Sequence, residues 1–400
     1  MRVEAAAATS SRRWVILGSY SLLAACTQML WLSFAAIDTD AARALRVDVG
    51  TVGDLAIIFP FVYIVLALPT GRWLDMRFAQ ALSAGAILTG AGALVRLVAP
   101  TSFAVQTAGM LVIAAGQPLV LNSITKVAGR YFPPGERATA ISIGTAALFV
   151  GILAAVLTAG PLFAAGGLPL LLVGQAVPSV LAAALVMVTA RSQPAYPADP
   201  SVSVSLRWLA RDRFMWTLAA LVFIGMGTYN AVATWLQPIL DHFGEGAAAG
   251  NLIAVLTFAG VLGAAVIPPV VAARDLRRGA LVTALVVSAA AFAAVSAFQN
   301  VIWLGAWFFV EGVLLLACLP VVLDWSEVHA GPERQGAAVG FLMMAGNLGG
   351  VVLALVVQAA VANPYVALGV MGVAALAGIP VALRLPARAG YTAMGQPHEH

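Results

Sequence analysis

Apolar stretches of roughly twenty residues recur about twelve times along the chain, separated by short clusters rich in Arg, Asp, Pro and Gly. An α-helix rises about 1.5 Å per residue, so each stretch is long enough to cross a hydrocarbon layer of roughly 30 Å. The pattern predicts an all-α membrane protein with twelve transmembrane helices. The expected spans cover residues 14–37, 51–70, 79–99, 102–127, 138–160, 168–190, 214–240, 250–272, 279–298, 300–323, 335–360 and 363–385.

The composition supports this prediction. Of the 400 residues, 62% are hydrophobic and only 10% are charged, and the mean hydropathy is +0.96. A soluble domain carries about 25% charged residues. Twelve spans take up about 33 residues each with their connections, so we expect no sizeable soluble domain.

The basic residues are distributed unevenly between the connections. If both termini are cytoplasmic, only Arg43 and Arg46 fall on the opposite side, and Arg96 falls inside the third span. The other 18 of the 21 basic residues are then cytoplasmic, as the positive-inside rule expects. We therefore predict a multi-pass cell-membrane protein with no nucleic-acid partner. The Ala-, Val-, Gly- and Arg-rich usage is typical of a bacterial inner-membrane protein.

The sequence lacks the residue patterns of an enzyme or a metal site. It contains no phosphate-binding loop that ends in Lys-Ser/Thr, no nucleophile–base pattern and no cluster of metal ligands. Cys26 and Cys318 both fall within predicted spans, which indicates neither a disulfide nor a metal site. We expect no enzymatic activity, no cofactor and no bound metal.

The second half of the chain repeats features of the first at an offset near 198 residues. The segment 134–137 reads PGER and the segment 331–334 reads GPER, while Asp75 and Asp275 both lie among arginines. Residues 191–213 form the longest polar connection and contain three prolines, as in a stiff linker. We predict an N-terminal six-helix bundle over 1–190, a cytoplasmic linker over 191–213 and a C-terminal six-helix bundle with a short polar tail over 214–400.

Two groups of motifs indicate a family. Residues 71–77 read GRWLDMR, which resembles the loop between helices two and three of major facilitator transporters, although Phe78 replaces the family's second glycine. The segments 116–118 (GQP), 126–128 (KVA) and 131–140 (YFPPGERATA) resemble the feline leukaemia virus subgroup C receptor family. The first resemblance implies two pseudo-symmetric six-helix bundles, which parallel repeats also suggest. The second implies transport of haem, choline, ethanolamine or a vitamin.

The major facilitator resemblance implies a cavity lined by helices one, four, seven and ten. Mid-depth polar or aromatic residues on these helices are the candidate substrate contacts, and one weaker candidate lies on helix eleven. They are Gln28, Trp31, Gln117, Asn122, Tyr229, Asn230 and, on helix eleven, Asn347, for which a helix-packing role is equally open.

An aromatic cage for an ammonium group is the central hypothesis. The repeat offset makes Trp31 and Tyr229 equivalent positions, one in each half. Aromatic faces attract ammonium cations. The resemblance implies the same, because choline-handling relatives use aromatic residues at matching positions, and Gln117 would offer an amide to the substrate. The alternative for Trp31 is an interfacial aromatic belt.

Glu311 is the acidic residue closest to the middle of a predicted span. A charge in lipid is costly, so an acid at this depth is a candidate proton site or a counter-ion for a cationic substrate. The alternative is a structural carboxyl that is hydrogen-bonded between helices.

The charges in the cytoplasmic connections are candidate gating residues. We expect Asp75 to accept from backbone N–H groups at a helix N-terminus and to pair with an arginine such as Arg130 or Arg137. Arg334 and Asp275 could act in the same way in the other half. The full set is Asp75, Arg72, Arg130, Arg137, Asp275 and Arg334, and the alternative for each is a solvated loop charge.

Together these features predict a monomeric transporter that moves a small organic solute by alternating access. A choline-like or other organic amine is the expected substrate, moved by facilitated diffusion or coupled to protons at Glu311. The alternatives are haem or a pyridoxine-like vitamin as substrate, and, in another class, a membrane receptor or sensor that does not transport.

Overall fold

The structure, a computed structural model, describes residues 2–196, 205–298 and 300–387, with side chains from Arg12 onward. These residues form helices and no β-strand. The α-helices are α1 (Arg2–Trp31), α2 (Asp38–Leu45), α3 (Val49–Val98), α4 (Phe103–Leu121), α5 (Ile124–Tyr131), α6 (Arg137–Thr189), α7 (Arg213–Asp241), α8 (Ala249–Ala273), α9 (Arg277–Ala297), α10 (Val301–Ala330), α11 (Gln335–Ala360) and α12 (Pro364–Leu383). Residues 197–204 of the predicted linker and the tail from 388 lie outside the described residues, and the domain boundaries stay a prediction.

Ten helical segments of the described chain are long and apolar enough to cross a membrane. Two of them, Val49–Val98 and Pro134–Thr189, contain 50 and 56 residues, about twice the length that one crossing needs. Helical geometry is interrupted at Arg77 in the first and at Gly166 and Gly167 in the second. Gly167 has φ +63°, which glycine adopts without strain. Each long segment therefore supplies two crossings, which makes twelve in all.

The first, fourth and tenth predicted spans are among those that differ from the structure at their ends. The first ends at Trp31 rather than at 37, and the short helix α2 follows it. The span predicted over 102–127 divides into α4 and α5 at Asn122 and Ser123. The tenth continues to Ala330 because its last acidic residues, which resemble a loop in sequence, are buried in ion pairs.

Side-chain caps fix where several helices begin. A side-chain oxygen accepts a hydrogen bond from a backbone N–H in the first turn, which satisfies a donor that the helix leaves open. The Thr51 hydroxyl and N–H groups that bond to Asp48 also lower the pKa of that exposed carboxyl. The capping residues are Asp48, Ser102, Asp212, Asn300 and Asn363.

Helix packing follows the two halves of the chain. In the first half α1 packs against α6 and α3 against α4, and in the second half α7 packs against α11, α8 against α10 and α9 against α12. Between the halves, α3 packs against α11 and α6 against α8. Glycines allow the α3–α11 approach, since a Cβ at Gly71 would meet the Gly336 carbonyl and one at Gly340 would meet the Ala67 carbonyl.

The outer surface of the bundle is apolar. Large side chains such as Phe61, Val188 and Ile302 are 68%, 73% and 85% exposed, as expected where lipid replaces water. The arginines lie mainly at one end, which we call the basic end and define by Arg13, Arg77, Arg137, Arg277 and Arg334. The contacts between Gly71 and Gly336 lie at this end.

Candidate functional site

A cavity of about 950 Å³ lies between the two halves. It extends from mid-depth residues such as Gln117 and Met226 to Ala36, Asn251 and Gln358 at the end opposite the basic end. Six of the seven predicted substrate contacts line it, and they are Gln28, Trp31, Gln117, Tyr229, Asn230 and Asn347. Whether a substrate touches them stays a prediction.

Trp31 lies on the inside of the bundle, not in a lipid-facing belt. Its indole Nε1 donates to the Ala56 carbonyl of α3 at 2.9 Å. Its ring centroid is 6.4 Å from that of the buried Phe59, and the residue lines the cavity. One edge of the indole is therefore fixed to α3.

Tyr229 is held by polar and aromatic neighbours. Its hydroxyl is 3.3 Å from that of Thr257 on α8, and its ring centroid is 6.5 Å from that of Phe149 on α6. Because Phe149 belongs to the first half and Tyr229 to the second, this aromatic contact joins the halves beside the cavity. Tyr229 and Trp31 thus line one cavity from opposite halves of the chain.

Trp235 is a further aromatic residue of the cavity that was not predicted. Its indole Nε1 donates to the Ala354 carbonyl of α11 at 2.8 Å. It lies six residues after Tyr229 on α7, about 9 Å further along the helix axis. The signal was available in the sequence, since both residues lie on the helix predicted to line the cavity.

The polar lining consists of amides and hydroxyls. Gln28 and Gln117 are largely buried, and the Asn347 amide donates to the Met343 carbonyl within α11. Among the described residues that line the cavity, none carries a formal charge. Burying a small ion with a localised charge here would be costly, whereas a neutral solute or a cation with a diffuse charge fits.

Asn122 does not line the cavity, contrary to the prediction. Its amide oxygen accepts from the Tyr63 hydroxyl at 2.6 Å, and its nitrogen donates to the Ala67 carbonyl and the Thr70 hydroxyl. All these partners belong to the first half of α3. Asn122 therefore joins the end of α4 to α3, and it reaches the cavity only through Tyr63.

Glu311 also lies away from the cavity wall. It is 1% exposed and lies beside Ser288 of α9. At this level α8 covers α10 so closely that a Cβ at Gly312 would meet the Leu256 carbonyl. Neighbouring helices therefore enclose Glu311, and its role as a proton site or counter-ion stays a prediction.

Asp75 binds the N-terminus of α11, as expected, but its charged partner is a lysine. Its carboxylate accepts from the N–H groups of Gly336 and Ala337, each at 2.8 Å. Lys126 Nζ lies 2.8 Å from the same carboxylate and also donates to the Pro332 carbonyl at 2.9 Å. The expected pairing with Arg130 or Arg137 does not form, because Arg130 lies over the Phe78 ring and Arg137 pairs with Glu327.

Arg137 instead pairs with Glu327. Its Nη1 lies 2.9 Å from Oε1 of Glu327, so the pair joins α6 of the first half to α10 of the second. Gln335 Nε2 donates to the same oxygen at 2.7 Å. Together with the Asp75 and Lys126 contacts, this pair joins the two halves at the basic end.

The other predicted gating residues have different surroundings. Arg130 lies over the Phe78 ring and Arg334 over the Trp208 ring, 5.2 and 5.5 Å from the ring centroids, while Arg72 is exposed. Asp275 accepts from Arg277, which also pairs with the buried Asp324 at 2.7 Å.

Lys126, Asp324 and Glu327 are functional candidates that the sequence reasoning missed. The offset of 198 residues that relates the halves places Lys126 on Asp324. This correspondence could be seen in the sequence, because both residues lie at the end of a predicted apolar span. In the structure Lys126 and Asp324 each form a buried ion pair with a partner from their own half, whereas Glu327 pairs with Arg137 of the other half.

Two helical halves that enclose a cavity, and that contact each other at one end, define a multi-pass membrane transporter for small molecules. Residues 16–354 match the family model described as Major Facilitator Superfamily. The chain belongs to this superfamily, and the predicted twelve-helix fold is confirmed.

Curated relatives also support the predicted subfamily resemblance. Solute carrier family 49 member A3 of Danio rerio is 32% identical over 273 residues, covering 63% of this chain and 57% of the relative. Its Xenopus tropicalis counterpart is 26% identical over 388 residues, covering 88% and 78%. The Choline/ethanolamine transporter FLVCR2 of Homo sapiens is 24% identical over 294 residues, covering 64% and 54%. The matched region thus spans little more than half of two of these relatives.

Solved structures show the same fold at low identity. A bacterial homologue of the iron transporter ferroportin in the outward-facing state superposes with a TM-score of 0.75 at 15% identity, covering 93% of this chain and 98% of that one. The transporter FucP in the outward conformation gives 0.71 at 16% identity, covering 91% and 97%. At these identities the likeness concerns the fold alone.

Proposed function

We propose that the chain transports a choline-like quaternary ammonium or a related organic amine. The observation that carries this proposal is the cavity, which has aromatic rings on both sides and no formally charged residue among its described lining. An ammonium over an aromatic face gains up to about 2 kcal/mol when desolvated. The relatives named as choline/ethanolamine transporters support the same substrate class.

The kinds of lining group suit this substrate. A quaternary ammonium has no N–H donors, so it needs aromatic faces more than hydrogen-bond acceptors. The amides of Gln28 and Gln117 can bond to a hydroxyl, which choline and ethanolamine both carry. Haem is less well matched, because its two carboxylates would meet no basic residue in the described lining. Pyridoxine is neutral and stays the alternative substrate.

We propose alternating access, with the basic end on the cytoplasmic side. The basic residues support this orientation through the positive-inside rule. The structure then corresponds to an outward-facing state, since the halves meet at the basic end and the cavity extends away from it. Opening to the cytoplasm must break the Arg137–Glu327 pair and the contacts of Asp75 and Lys126 with the second half.

Facilitated diffusion is the proposed mode of transport. Proton coupling through Glu311 has less support, because this residue does not share the cavity with the substrate. We further propose that one chain is sufficient, since both halves of the cavity wall belong to the same chain, and that the protein resides in a bacterial inner membrane.

Flux into proteoliposomes tests this proposal. Radiolabelled choline, ethanolamine, pyridoxine and haem would each be added with and without a pH gradient. We expect saturable choline uptake that the gradient leaves unchanged. Uptake of pyridoxine or haem but not choline would contradict the substrate class. Choline binding without any flux would favour the receptor alternative.

A further inference from the structure

We infer that Pro60 is a positioning residue for Trp31, because it leaves open the backbone carbonyl to which the Trp31 indole bonds. Its expected effect on substrate affinity rests on the proposed function. The structural part, that this proline determines the hydrogen bond of the indole, does not depend on the substrate.

The acceptor of the Trp31 bond lies four residues before a proline. In an α-helix the carbonyl of residue i accepts from the N–H of residue i+4. Ala56 is in α3, and residue i+4 is Pro60, which has no N–H. The Ala56 carbonyl therefore lacks its usual partner within the helix. The Trp31 indole donates to it at 2.9 Å.

This bond satisfies two groups at once. Removing a backbone carbonyl or an indole N–H from water without a hydrogen-bond partner costs free energy. Inside a membrane protein few other partners are available. The bond therefore fixes the edge of the Trp31 ring on α3, while Pro60 and Trp31 both remain part of the cavity wall.

The second indole of the cavity provides a comparison within the same molecule. Trp235 donates to the Ala354 carbonyl, and the residue four positions later is Gln358, which has a backbone N–H. That carbonyl can accept from its own helix as well as from the indole. Of these two bonds, the Trp31 bond uses a carbonyl that a proline leaves open, so Trp31 and not Trp235 should respond to Pro60→Ala.

The substitution Pro60→Ala tests the inference. It restores a backbone N–H at residue 60, so the Ala56 carbonyl would serve two donors and the indole bond would weaken. The chain contains nine tryptophans, so ¹⁵N-tryptophan labelling in lipid nanodiscs gives nine indole signals, and Trp31→Phe identifies that of Trp31. We expect Pro60→Ala to move this signal upfield and to accelerate its hydrogen exchange. Choline affinity should fall by up to about fivefold, the effect of one fully lost hydrogen bond.

A matched control lies in the same helix. Pro69 is also inside α3, but it is exposed and does not line the cavity. Pro69→Ala removes a proline from the same element, so it should leave the Trp31 signal and the choline affinity unchanged. A double variant gives a second check, because Trp31→Phe already lacks the indole N–H. Adding Pro60→Ala to it should cause no further loss of affinity.

The outcomes separate the inference from the proposed function. An unchanged Trp31 signal in Pro60→Ala, or a full additional loss of affinity in the double variant, would overturn the inference. A moved signal in a protein whose unmodified form does not bind choline would support the positioning role and contradict the proposed substrate.

Discussion

At the residue scale, the cavity places two aromatic side chains from different halves against one space. Hydrogen bonds hold Trp31 on α3 and Tyr229 on Thr257, so binding a ligand does not require either ring to become ordered. Such preorganisation lowers the cost of binding, which is why single substitutions here should have large effects.

Replacing either ring tests the aromatic cage. Trp31→Ala and Tyr229→Ala should each weaken choline binding by tenfold or more, since one desolvated cation–π contact contributes up to about 2 kcal/mol. Isothermal titration with the purified protein measures the change. Trp303→Ala is the control, because Trp303 is 46% exposed on the outer surface and lies outside the cavity. Unchanged affinity in both cavity variants would contradict the cage.

Glu311 gives a second test at this scale. Because it is enclosed beside Ser288 and away from the cavity, Glu311→Gln should leave the pH dependence of choline uptake unchanged. Uptake would be measured at pH 6 and pH 8 for both proteins. A pH dependence that is present in the unmodified protein and lost in this variant would restore Glu311 to the transport mechanism.

Some of these residues could be assigned to the cavity from the sequence, and others could not. Trp31, Tyr229 and Gln117 could be found because they are polar or aromatic residues at mid-depth on helices that the resemblance places around the cavity. Asn122 and Glu311 satisfied the same rule but face neighbouring helices, since depth along a helix does not determine which side a residue takes. That direction depends on packing, here on Tyr63 for Asn122 and on α8 and α9 for Glu311.

At the scale of helices, closure of the basic end depends on a few contacts between the halves. The first N–H groups of α11 donate to the Asp75 carboxylate, and the ion pair of Glu327 with Arg137 joins α10 to α6. Gly71 and Gly340 let α3 approach α11 closely enough for the Asp75 bonds to form. These contacts exist only while the two halves meet at this end.

Loss of the pair between the halves should favour opening at the basic end. Removing one partner of a buried ion pair leaves the other charge unpaired, at a cost of about 3–5 kcal/mol. Glu327→Gln should therefore expose the cavity residue Cys318 to a membrane-impermeant thiol reagent applied from the basic end. With Cys26 replaced by Ala, we expect labelling at least tenfold faster.

The matched control breaks an ion pair within one half. Arg13 pairs with Glu136 at 2.9 Å, and both belong to the first half. Arg13→Gln removes a charge near the same end without separating the halves, so labelling of Cys318 should stay slow. Equal acceleration in both variants would show that general loosening, not separation of the halves, exposes the thiol.

The helix ends show where sequence reasoning failed. The extension of α10 to Ala330 was missed because Asp324 and Glu327 resemble loop residues until their arginine partners are known. The turn after Trp31 was missed because no proline or glycine marks it. For α10, contacts with residues distant in sequence lie at the end of the helix, and a local pattern contains no information on them.

At the scale of the whole molecule, the fold was the most predictable feature. Twelve apolar spans, the distribution of arginines and the repeated motifs each limit the possible architectures, and they agree. The sign of the charge at each position of the buried ion pairs could not be predicted from the repeat. Lys126 and Asp324 occupy equivalent positions but carry opposite charges.

The uncharged cavity wall has an energetic consequence for a cationic cargo. With no carboxylate in the described lining to neutralise it, each choline molecule would carry one net positive charge across the bilayer. Moving one charge through about 100 mV corresponds to about 2.3 kcal/mol, which equals a roughly fiftyfold concentration ratio at equilibrium. A negative membrane voltage alone would then concentrate the solute inside the cell, without any co-transported ion.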